Sequence, residues 1–216
     1  NNAVAVKWGA AWAARFGAGA SARLSLHAWR QLQEHHGVPS GAFGADEHLA
    51  GSAPGRGTEL CVVVESLRSL SEAYAALPSE PSLADDLERL AFNALPAAVG
   101  DDHWTHQYLT QTNAPFAGVE RPAGPAGSEP LLSGAFGNVG ADATSFGLAP
   151  NFPCCTVNFG QGWPKLLALG SWLWDDGAGE AAEEPVLLSA AFVPSRVRLP
   201  GPVGGSVELR TDYPLA

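Results

Sequence analysis

The chain has 216 residues, 46% hydrophobic and 16% charged, enough apolar material for one substantial core or two small ones and too much for a disordered segment. Its net charge of −10, from 12 basic and 22 acidic residues, comes with no basic stripe, which argues against nucleic acid as a partner. The longest apolar runs, at 60–64 and 185–192, are far shorter than the roughly 20 residues of a membrane-spanning helix, so no membrane partner is expected.

In chain order, residues 3–16 are rich in Ala and Trp and read as a helix broken at Gly17–Gly19. Residues 20–36 place Leu24, Trp29 and Leu32 near helical spacing and end before Gly37, with His35 and His36 in the last turn, where a cation suits the helix dipole. Residues 37–57, dense in Gly, Pro and Ser, read as a loop. Leu60, Val63, Val64, Leu67, Leu70 and Tyr74 then define a helix, with Thr58 a candidate N-cap and Pro78 and Pro81 as its end. Ser82 is a candidate N-cap for a helix over 83–95, with Asp85 and Asp86 in its first turn. Residues 103–110 alternate like a strand, and 113–153 form a long Gly- and Pro-rich loop of the kind that lines active sites. A helix is expected over 161–174, then strands over 186–193, 197–199 and 206–209. The expected fold class is therefore mainly α with β, antiparallel helix pairs over 1–176 leading into strands over 177–216.

Three cysteines, Cys61, Cys154 and Cys155, are too few and too odd in number for a disulfide framework. They read as metal ligands, as catalytic groups, or as small buried hydrophobes. Glu59 stands two residues before Cys61 where a loop meets a helix, so the two side chains can converge on an ion beyond the helix end. With the adjacent pair they make one carboxylate and three thiols, a donor set suited to four-coordinate zinc. Neighbours on a regular strand point to opposite sides, so Cys154 and Cys155 could share an ion only from an irregular turn, which Pro153 favours. Two unrelated core cysteines or a vicinal disulfide are the other readings of that pair.

Thr58-Glu59-Leu60-Cys61, Ala91-Phe92-Asn93-Ala94-Leu95-Pro96, Trp104-Thr105-His106-Gln107-Tyr108, Cys154-Cys155 with Asn158, and Asp212-Tyr213-Pro214 occur in that order. Together they resemble glycoside hydrolase family 127, the β-L-arabinofuranosidases, and the related family 146. The resemblance implies a retaining hydrolase acting on a carbohydrate substrate, with Zn2+ held by Glu59, Cys61, Cys154 and Cys155, and with Cys154 as the nucleophile. It implies Glu47 as acid/base, Asp46 being the neighbouring alternative, and His48, His106 and Tyr108 as substrate-binding residues. Trp104 and Trp163 are candidate stacking faces, although core packing explains any one of these side chains equally well.

The family's catalytic domain is an (α/α) toroid followed by β-sandwich material. Residues 1–176 would be the later half of that toroid and 177–216 the start of the sandwich. The chain starts Asn1-Asn2 and contains no Met, which suggests a piece of a longer enzyme lacking a sugar-contacting histidine that relatives carry upstream. A truncated, catalytically silent zinc- or carbohydrate-binding protein is accordingly the second reading, and a thiol redox protein using Cys154 and Cys155 the third.

Overall fold

A computed structural model describes residues 2–112, 114, 144–148, 153–175 and 184–213. Among them are eight α-helices: α1 (Asn2–Val6), α2 (Trp8–Phe16), α3 (Ala22–His36), α4 (Leu60–Ala76), α5 (Pro81–Arg89), α6 (Leu95–Ala97), α7 (Pro153–Phe159) and α8 (Gly162–Leu169). Six strands form three two-stranded antiparallel sheets: β1 (Gly57–Glu59) with β2 (Leu109–Gln111), β3 (Trp172–Asp175) with β4 (Val186–Ser189), and β5 (Ser195–Arg198) with β6 (Ser206–Leu209). The fold is thus helical with small antiparallel sheets. The long loop over 113–153 and the division at 176/177 fall largely on residues outside the described ones.

Helix α4 is the centre of the core. Leu60, Val62, Val63, Val64, Leu67, Leu70 and Ala73 are all buried, so its apolar surface covers most of the helix and leaves Glu65, Arg68 and Glu72 along one partly exposed stripe. A helix with so wide an apolar face must be packed on most sides, and α1, α2, α3, α5, α7 and α8 all pack on it. Two of the three serines of α4 fit this setting by bonding to backbone: Ser69 donates to the Ala3 carbonyl at 2.6 Å and Ser71 to the Leu67 carbonyl at 2.8 Å, while Ser66 Oγ is buried without a partner among the described residues. Gly9 lets α2 and α3 cross closely, since a Cβ there would lie 2.9 Å from the Ser25 nitrogen. At the same crossing the Ala10 N–H donates to Ser25 Oγ at 3.0 Å.

Several expectations are corrected. Residues 3–16 form two helices broken at Lys7, not one. Thr58 does not cap α4: it sits in β1 and donates to the Phe43 carbonyl, and Glu59 is the residue before the first helical turn. Pro81 opens α5, where its fixed φ and missing N–H cost nothing. Ser82 is therefore inside the helix, and Asp85 and Asp86 fall past its first turn.

The segment expected as one helix over 83–95 passes through a π-turn at Leu90–Ala94 before α6. In that turn the Leu95 N–H bonds to the Leu90 carbonyl; Pro96 has no N–H to repeat the bond at Ala91, and Trp163 Nε1 donates to that carbonyl instead, at 2.9 Å. Of 103–110 only the end is strand, as β2. The helix expected over 161–174 stops at Leu169, and the Trp-Leu-Trp stretch after Gly170 is strand β3. Ser171 marks the change, accepting backbone bonds from Ala190 and Ala191 across the hairpin.

Candidate metal centre

The four residues singled out as ligands come together. One oxygen of Glu59 and the sulfurs of Cys61, Cys154 and Cys155 all lie within 4.8 Å of one another. Each element contributes by its local geometry. Strand β1 ends at Glu59, whose extended backbone (φ −66°, ψ 137°) aims its side chain past the start of α4. Cys61 follows as the second residue of that helix.

Cys154 and Cys155 are not in an irregular turn but at the start of α7, behind Pro153. Adjacent residues on a helix diverge by about 100° rather than the 180° of a strand, which is what lets both sulfurs face one point. Strands β1 and β2 pair Glu59 with Leu109, and the Leu60 N–H donates to the Tyr108 carbonyl at 3.0 Å. The base of the site is thereby tied to the segment carrying His106 and Tyr108.

The separations suit a single small cation. Cys61 Sγ lies 3.4 Å from Cys155 Sγ, while Glu59 Oε1 lies 3.7 Å from Cys154 Sγ and 3.8 Å from Cys155 Sγ. A tetrahedral ion bound at about 2.3 Å by sulfur and about 2.1 Å by oxygen sets neighbouring donors about 3.6–3.8 Å apart.

Ionisation leads to the same conclusion. Burial pushes the Glu59 carboxyl upward, and the nearby Glu47 charge adds to this. Cys61 is the thiol that ionises first, lowered by hydrogen bonds from Cys155 and Asn158. The same bond to Cys61, with burial, raises Cys155, and burial together with the Cys61 charge pushes Cys154 up to about 11. One carboxylate and three thiolates this close cannot all be charged without a cation among them. The group Glu59, Cys61, Cys154 and Cys155 could hold a metal ion.

Asn158, one turn beyond the cysteine pair on α7, is a supporting residue. Its amide donates to Cys61 Sγ at 3.0 Å, and its carbonyl oxygen accepts from Gln161 Nε2 at 2.9 Å, which fixes the direction of the amide. The motif containing Asn158 was visible in the sequence, but this contact was not.

The site opens on a cleft of about 450 Å³ lined by Asn2, Val4, Phe43, Ala45, Glu47, His48, Glu59, Cys61, Val62, Glu65, Cys154 and Asn158. Cys61 and Cys155 are buried, whereas Cys154 is exposed to the cleft. Glu47 reaches it from a tight loop in which Ala45 bridges both Leu49 and Thr58. Its φ of 82° is left-handed, a conformation that non-glycine residues take at a cost, commonly at functional sites. Tyr108 donates its phenolic proton to Glu47 Oε1.

The neighbouring Asp46 is differently engaged. Arg56 grips it with two bonds, Nε to Oδ2 and Nη2 to Oδ1, each 2.6 Å, and the Asp46 side chain is 1% exposed.

The remaining candidates are placed as follows. His48 lines the cleft and is exposed. His106 and Tyr108 are buried and absent from the cleft lining, although Tyr108 reaches Glu47. His106 Nδ1 faces the Gln107 carbonyl at 3.1 Å, so that nitrogen carries the proton and Nε2 accepts from Thr156 Oγ1 at 3.1 Å. The ring therefore ties the β2 approach to α7. Trp104 is exposed, and Trp163 sits against His103 with its indole nitrogen on Ala91. The chain matches no protein-family model, no curated protein and no solved structure.

Proposed function

We propose that the chain is a zinc-dependent retaining glycosidase of the β-L-arabinofuranosidase type, with Cys154 as nucleophile and Glu47 as general acid and base. Three thiolates and one carboxylate suit zinc better than magnesium or calcium, which prefer oxygen donors. Bound zinc would keep the sulfurs ionised at neutral pH. The observation that carries the reading is the difference among the three sulfurs. Cys61 and Cys155 are buried within the ligand group, and Cys154 alone is exposed, in a cleft it shares with Glu47.

In the proposed reaction Cys154 Sγ attacks the anomeric carbon while Glu47 delivers its proton to the departing glycosidic oxygen. The C–O bond breaks, a C–S bond forms, and the sugar is held as a thioglycoside. Glu47, now a carboxylate, takes a proton from water, whose oxygen displaces Cys154 and restores the starting stereochemistry. Tyr108 orients the Glu47 carboxylate by its hydrogen bond, and Asp46 and Arg56 hold the loop on which Glu47 stands. His48 also lines the cleft, and in this reading it contributes to holding the sugar. In this reading the helices are part of an (α/α) toroid and the C-terminal hairpins the beginning of a β-sandwich.

The test is hydrolysis of 4-nitrophenyl β-L-arabinofuranoside by the zinc-loaded chain, with intact-mass detection of a pentosyl adduct on Cys154. Activity lost in Cys154→Ala, with zinc still bound through the other three residues, supports the reading. Equal turnover by Cys154→Ala, or no turnover by the native chain, overturns it. In the second case a catalytically silent zinc protein is the reading left standing.

A further inference from the structure

We propose that Glu65, steadied by Lys7, is the hydroxyl-recognising residue of the cleft and sets which sugar it accepts. The proposal deepens the glycosidase reading and rests on it for the class of ligand.

Glu65 lies four residues after Cys61 on α4, one helical turn along the same face, and it lines the same cleft as Cys154 and Glu47. Its side chain is 17% exposed, and its Oε2 lies 3.7 Å from Lys7 Nζ. Lys7 stands at the break between α1 and α2.

The electrostatics make this carboxylate unusual. Glu47 and Glu59 already line the cleft, together with the sulfur of Cys154. A further anion is unfavourable there unless a cation answers it, and Lys7 supplies that cation. The result is a carboxylate acceptor beside an ammonium donor. A sugar hydroxyl in the cleft can donate a hydrogen bond to the Glu65 carboxylate, whose charge Lys7 balances. Val4 and Val62 supply apolar wall for the ring's C–H faces. Neither Glu65 nor Lys7 belongs to the metal-holding group, so their effect falls on binding and selectivity.

The test is calorimetric binding of L-arabinose and of its 2-deoxy and 5-deoxy analogues to the zinc-loaded chain. The native protein is expected to bind L-arabinose about tenfold or more tightly than one of the deoxy sugars, as for loss of a hydrogen bond to a charged group. Glu65→Gln is expected to retain its zinc, bind L-arabinose about tenfold more weakly and no longer distinguish that pair. Lys7→Met, which leaves α4 unaltered, is expected to show the same loss in smaller measure. Undiminished discrimination in Glu65→Gln, or no sugar bound by the native chain, overturns the proposal. Hydrolysis is scored separately: sugar bound through Glu65 without turnover refutes the catalytic reading and leaves this one intact.

Discussion

Cys61 and Cys155 are 94 residues apart in the chain, yet their sulfurs lie 3.4 Å apart at the junction of α4 and α7. That contact commits the two helices to one arrangement, and a divalent ion would consolidate it. Cys61→Ser is expected to lower zinc affinity ~100-fold or more, since even changes among residues behind the ligands cost 10–100-fold. Competition with a chelating dye measures this. Affinity in the native chain should rise with pH across the neutral range, because the Cys154 thiol, pushed up to about 11 without metal, must give up its proton to bind.

Asp46 and Arg56 are expected to behave as a unit. Arg56→Met leaves a carboxylate that is 1% exposed with no counter-charge, which should cost about 3 kcal/mol in urea unfolding. The double variant Asp46→Asn/Arg56→Met should recover part of that loss. A double-variant loss equal to the sum of the two single losses would show that the pair does not act together.

Asp86 gives the clearest dependence of stability on pH away from the metal centre. Burial raises its pKa above the ordinary value of 3.8, against the lowering effect of the bond from Trp29 Nε1 at 2.7 Å. A raised folded-state pKa means the protonated acid is favoured on folding. This contribution is present below pH 3.8 and is lost as pH rises through the raised folded value. Asp86→Asn keeps an acceptor for Trp29 and removes the half-buried charge. It should therefore melt higher than the native chain at pH 7, with the gap closing towards pH 3.

Trp163→Phe isolates the π-turn. It keeps an aromatic ring but leaves the Ala91 carbonyl without the indole donor, and should cost about 1–3 kcal/mol by thermal unfolding. Zinc content is expected to stay unchanged, since no ligand is displaced.

Much of this site was legible in the sequence because its ligands sit at places a linear reading can find. Glu59 and Cys61 flank a loop-to-helix boundary marked by the apolar spacing from Leu60 to Tyr74, and that helix forms where expected. Cys154 and Cys155 were recognisable as a pair, but their backbone was not, because a seven-residue helix behind a proline carries too little periodicity to declare itself. Glu65 was invisible for the opposite reason: one glutamate on a long helix looks like solvent-facing charge until its neighbours across space are known. The helix expected over 161–174 failed at Gly170, where Trp172 and Leu173 keep an apolar pattern that suits either period. The register β3 shares with β4, from Trp172 with Ser189 to Asp175 with Val186, decides between them through a pairing that a local pattern does not contain.

X-ray absorption at the zinc K-edge of the metal-loaded chain bears most directly on the central claim. Three sulfurs at about 2.3 Å and one oxygen at about 2.0–2.2 Å are predicted, falling to two sulfurs in Cys154→Ala. A shell dominated by nitrogen or oxygen, or one that Cys154→Ala leaves unaltered, would contradict it.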